Sequence, residues 1–119
     1  MKENIICEKS YSFAIRIVKL NKYLKENKRE YILSNQVFRS GTSIGANVEE
    51  ALGGQSEKDF INKMSIAYKE ARETQYWIRI LCDSGYLTNK QAESLLIDCE
   101  ELLRIIGSIQ ITMRKKSNS

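Results

Sequence analysis

The chain has 119 residues, 42% of them apolar and 29% charged, a balance that fits one globular domain with a single core. Nineteen basic residues against fifteen acidic ones leave a net charge of +4, and the chain has neither histidine nor proline. Without histidine, Ser-His-Asp and Cys-His catalysis and the Glu-x-x-His di-iron site of helical bundles are excluded, and without proline nothing interrupts long helices.

The first predicted element runs from about Ser10 to Asn27. Phe13, Ile17, Leu20 and Leu24 recur at alternating spacings of four and three, which is one face of a helix. Arg16, Lys19, Lys22 and Lys25 occupy its other faces, and Lys28 and Arg29 follow in the connection. A second helix is predicted from about Glu30 to Leu52. Its stripe is Leu33, Val37, Gly41, Ile44, Val48 and Leu52, and Gly53-Gly54 stops it. Gly41 and Gly45 lie inside this helix at a cost of about 1 kcal/mol each relative to alanine, which close packing would recover.

Ser56 to Asp59 reads as an N-cap with an acidic residue three positions on. The third helix then extends to about Ser84, with Phe60, Met64, Ala67, Ala71, Thr74, Ile78 and Leu81 as an unbroken heptad seam. Gly85 ends it, and Tyr86-Leu87 is placed to fold back over the end. Thr88-Asn89-Lys90-Gln91 is a full capping box that opens the fourth helix, whose seam is Leu95, Cys99, Leu102, Ile106, Ile109 and Met113. Arg114, Lys115 and Lys116 sit where a helix C-terminus favours cations, and Ser117 to Ser119 should fray. No segment alternates as a strand does. The pattern predicts an all-α, antiparallel up-down-up-down four-helix bundle, one domain over residues 1–119 with its core at about 10–114.

Charge is unevenly spread. Residues 1–47 hold nine basic and four acidic residues, 48–101 hold six and eleven, and 102–119 hold four and none. Basic ends around an acidic middle suit polyanion binding, and equally suit association between opposite charges on two copies. The candidate nucleic-acid contacts are Lys19, Lys22, Lys25, Lys28, Arg29, Arg114, Lys115 and Lys116, with solvated lysines as the plainer reading. The antiparallel topology would divide them between two ends of the bundle. Cys7, Cys82 and Cys99 form no CxxC pair and read as thiols of a reducing cytoplasm. No apolar run approaches the ~20 residues that span a bilayer, and the first residues lack a signal-peptide core, so a cytoplasmic protein is expected.

The run Arg39-Ser-Gly-Thr-Ser-Ile-Gly-Ala-Asn-Val-Glu-Glu-Ala51 invites comparison with a phosphate loop. A P-loop requires GxxxxGK[ST] after a buried strand, whereas here the glycines are too close, no lysine follows and no strand precedes. Gly41 and Gly45 instead share a helix face that a neighbouring backbone can approach. Glu49, Glu50, Glu70 and Glu73 read as ion-pair partners for Arg39, Arg72 or Arg79, so no metal, cofactor or catalytic residue is assigned. On the third helix, Ile66, Glu73, Tyr76, Trp77 and Ile80 fall away from the seam. A cluster that includes the only tryptophan is a candidate oligomer interface; the alternative is that the other helices wrap wide enough to cover Trp77.

Two stretches together, Arg39 to Ala51 and Lys69-Glu-Ala-Arg-Glu-Thr-Gln-Tyr-Trp-Ile-Arg-Ile-Leu81, closely resemble the bacterial four helix bundle protein family encoded in intervening sequences of 23S rRNA genes. Ser56 to Met64 and Gly85-Tyr-Leu87 are similar to it as well, so the resemblance covers about residues 10–114. It implies an antiparallel bundle that assembles as a ring-like homopentamer. It also implies similarity to the accessory variability determinant of diversity-generating retroelements, a basic pentamer that binds nucleic acid and a reverse transcriptase. The matching positions are Arg39, Ser43, Asn47 and Glu50 with Glu70, Arg72, Glu73, Tyr76 and Trp77. Where many relatives carry glycine after the acidic residue, this chain has Ala51.

The expectation is therefore a non-enzymatic, self-associating bundle, homopentameric, with RNA or DNA as a partner on its basic surface. The alternative is an adaptor that holds a protein partner on the helix-three surface without nucleic acid. Neither reading involves a membrane or a small-molecule substrate.

Overall fold

Four helices, α1 (Lys2–Lys28), α2 (Leu33–Leu52), α3 (Glu57–Asp83) and α4 (Asn89–Ser117), make up the computed structural model, which describes residues 2–117. Cross-helix contacts give their directions. Ser10 and Ile17 of α1 face Gly45 and Gly41 of α2, while Ser40 and Glu50 of α2 face Thr74 and Lys63 of α3. Gln75 and Cys82 of α3 meet Glu100 and Asn89 of α4, and Lys9 and Arg16 of α1 meet Glu101 and Asp98 of α4. At each seam one number rises as the other falls, so the bundle is antiparallel up-down-up-down, 51 × 22 × 20 Å in extent. The α2–α3 seam is the most closely packed and the α1–α4 seam the loosest.

The core follows the predicted stripes. On α3 every seam position from Met64 to Leu81 is buried, and on α4 so are Leu95, Cys99, Leu102, Ile106 and Ile109. Phe60 and Met113, at the outer ends, pack half-buried against this core. Leu52 departs from its stripe and is exposed, because the last turn of α2 presents Ala51 inward in its place.

The largest boundary difference is in α1, which begins at Lys2 and so extends the helix beyond the predicted start at Ser10. Ile6 is fully buried and Ser10 nearly so, so the stripe continues through 6, 10 and 13. Ser10 interrupts it chemically but not geometrically: its small side chain allows the backbone of Gly45 to lie close. The expected fraying falls at the edge of the described residues. The helix reaches Ser117, and Asn118 and Ser119 lie outside them.

The connections show why each helix stops. Arg29 has a φ of 52°, and this left-handed residue directs the Glu30 N–H back to the Leu24 carbonyl at 3.0 Å. Glu30 lies before α2, whereas the sequence had suggested that the helix begins with it. Its carboxylate accepts from the N–H groups of Leu33 (3.1 Å) and Ser34 (2.8 Å), two of the donors a helix start leaves unpaired. Ser56 Oγ accepts from the Asp59 N–H at 3.1 Å, and Thr88 and Gln91 form the reciprocal capping box at 3.1 and 2.9 Å. At the end of α3, Gly85 (φ 86°) donates to Cys82 and Tyr86 donates to Leu81, with Leu87 buried over the turn as predicted.

Candidate functional site

The glycine- and serine-rich run is helical throughout, and its bare side faces α1. A Cβ at Gly41 would lie 2.6 Å from Ile17 Cγ1, and one at Gly45 would lie 3.2 Å from the Ser10 carbonyl oxygen. The glycines therefore set the α1–α2 distance and cradle no ligand. Asn47 closes the same stretch from the side. Its Nδ2 donates to the Ser43 carbonyl at 2.9 Å and meets Ser43 Oγ at 3.1 Å.

Five further family-motif residues, Arg39, Glu70, Glu73, Tyr76 and Trp77, converge where α2 packs on α3. Arg39 donates one guanidinium nitrogen to Glu70 at 3.0 Å and the other to Glu73. Glu73 also accepts from the Trp77 indole N–H at 3.0 Å, and the Tyr76 ring stands edge-on to Trp77 with centroids 5.2 Å apart. Beneath them, Thr74 Oγ1 lies 2.9 Å from Ser40 Oγ in a buried polar contact that crosses the α2–α3 seam. The indole hydrogen bond first, and then Arg39, hold the Glu73 carboxyl below its ordinary pKa against an opposing effect of burial. The Arg39 guanidinium is correspondingly raised, chiefly by Glu73.

Around this network, Ile66 and Tyr76 are 40% and 54% exposed, while Glu73, Trp77 and Ile80 are half-buried. Trp77 packs against the core at one edge, so the interface candidates and the bundle interior share it. Two motif residues stand apart: Glu50 pairs with Lys63 at 3.0 Å, and Arg72 lines a groove between α3 and α4 with Tyr68 and Gly107.

The eight basic candidates do not form one patch. Lys19, Lys22, Lys25, Lys28 and Arg29 cluster at the end of α1, next to the start of α4, and none of the five has an ion-pair partner among the described residues. Arg114, Lys115 and Lys116 lie at the other end, where Lys116 lines a groove with Glu57 and Lys58 of the start of α3. Sequence reasoning missed one cation that the structure singles out. Arg16 donates to Asp98 (2.6 Å), Ser94 Oγ (3.0 Å) and the Ser94 carbonyl (3.2 Å), fastening α1 to α4. No local pattern announces a pair separated by 82 positions.

By architecture this is an all-α, antiparallel four-helix bundle, and no helix among the described residues is long and apolar enough to cross a membrane. The sequence model of the 23S rRNA-intervening sequence protein family matches residues 2–108, and the chain belongs to that family. Among solved structures it is similar to a protein of unknown function from the S23 ribosomal protein family of Bacteroides thetaiotaomicron VPI-5482. The two share 48% identity over 92% of this chain and 98% of the other, with a TM-score of 0.92. No curated protein matches.

Proposed function

We propose that this chain is a non-enzymatic assembly module that associates with copies of itself as a homopentamer and binds RNA by its phosphates. The observation that carries the assembly reading is the state of the α2–α3 face. Its charges are already mutually paired through Arg39, Glu70 and Glu73, and its indole N–H is satisfied, so covering it strands few polar groups. Beside those pairs it exposes Ile66 and Tyr76, residues of the kind that anchor interfaces. Glutamate at both positions places charges in the contact without touching the buried seam. The double variant I66E/Y76E is expected to sediment as a monomer with unchanged helicity; retention of the native assembly would refute the choice of face.

The RNA part rests on the five cations at the end of α1 that have no ion-pair partner among the described residues, and on the family's link by name to 23S rRNA. Phosphate contacts release counter-ions, so affinity for a structured RNA should fall with salt on a log–log plot. The slope is expected at about −3 to −4 per protomer engaged. A flat salt response would remove the nucleic acid from this reading and favour an adaptor for a protein partner.

A further inference from the structure

The loosest seam of the bundle, between α1 and α4, opens into a trough of about 590 Å³, within the size range of small-molecule sites. Its lining differs from that of the other grooves. Leu20, Leu87 and Leu95, each at most 7% exposed, form an apolar floor, and Tyr23 lies half-buried beside them. Lys19 stands on the α1 wall and Lys90 on the α4 wall; neither has an ion-pair partner among the described residues, and no carboxylate lines the trough. Arg16, bound to Asp98 and Ser94, lies on the trough's α1 side and is not free to neutralise anything further.

We propose that this trough binds a small amphipathic anion, a medium-chain carboxylate, with its chain on the leucine floor and its head between Lys19 and Lys90. Two uncompensated ammonium groups facing one space repel each other, and an anion between them relieves that repulsion. A free inorganic anion would satisfy the lysines but make no use of the apolar lining of Leu20, Tyr23, Leu87 and Leu95, whereas a neutral apolar molecule would lie on that lining and leave the lysines unmatched. From Arg16 to Tyr23 the helix rises about 10 Å, a length suited to a medium alkyl chain. A duplex nucleic-acid backbone has no apolar part to set on the leucines.

Titrating the full chain with decanoate, followed by methyl NMR and calorimetry, tests this. The expected result is saturable binding that shifts the methyl signals of Leu20, Leu87 and Leu95. Decanol and acetate, lacking the head or the chain, should each bind at least about tenfold more weakly. The double variant K19E/K90E, with both changes at exposed positions, should also lose about tenfold in decanoate affinity with an unchanged thermal melt, since two exposed charge contacts amount to roughly that factor. Shifts spread over the whole molecule, equal binding of decanol, or undiminished binding by K19E/K90E would overturn the proposal. So would an oligonucleotide or anionic phospholipid vesicles shifting these methyls when decanoate does not.

Discussion

Single residues decide how closely α1 and α2 approach. Gly41 lies against the branched side chain of the fully buried Ile17. Alanine there gains about 1 kcal/mol of helix propensity but forces an overpacked contact costing about 1–3 kcal/mol. Gly41→Ala should therefore lower stability, by up to about 2 kcal/mol in chemical unfolding. Gly107 is the control, because a Cβ there meets only Tyr68 Cε2, at an ordinary 3.7 Å. Gly107→Ala should raise stability by up to about 1 kcal/mol. Equal effects of the two substitutions would mean that the α1–α2 approach is not set by Gly41.

Glu73 carries a pH dependence with a definite sign. Its carboxyl is lowered in the folded chain, first by Trp77 and then by Arg39. Its contribution to stability is therefore present above the unfolded carboxylate pKa of about 4.3 and is lost as pH falls through the lowered folded value. Trp77→Phe keeps most of the ring and removes the indole donor. In that variant, carboxyl NMR titration should find the Glu73 pKa moved up toward its ordinary value, and the acid unfolding transition should shift to higher pH. An unmoved Glu73 titration would show that the indole bond does not matter. Cys99 behaves differently, since burial, followed by Glu100 and Asp98, pushes its thiol up to about 12. It should resist alkylation at neutral pH until the chain unfolds.

At the scale of elements, what was legible in the sequence followed from periodicity and from local capping. The α3 and α4 seams and the Thr88–Gln91 box could be read because their partners lie within a few turns, where spacing alone fixes the face. The start of α2 was misplaced for a related reason. Glu30 looks like a good first-turn residue, yet the left-handed Arg29 holds it outside the helix, where its carboxylate caps Leu33 and Ser34. That conformation is unusual for arginine and has no sequence signature. Glu30→Ala should cost about 1–2 kcal/mol by leaving those N–H groups unpaired. The loss should appear as faster amide exchange confined to the first turn of α2; protection unchanged there would mean that the cap lies elsewhere.

Across the whole molecule, the candidate surfaces were legible only in part. Ile66, Tyr76 and Trp77 could be placed on one side of α3 by counting residues, but the Arg39–Glu70–Glu73–Trp77 network joins groups 31 and 34 positions apart. Helical spacing does not reach across helices. The division of the basic residues between two ends followed directly from antiparallel topology. The α1–α4 trough did not, because its floor and its two lysines come from opposite ends of the sequence. The mass of the native particle is the most direct test of the proposed assembly through the α2–α3 face. Light scattering on the unmodified protein at micromolar concentration should give five times the 13.8 kDa chain mass; a species of one chain mass at that concentration would contradict the account.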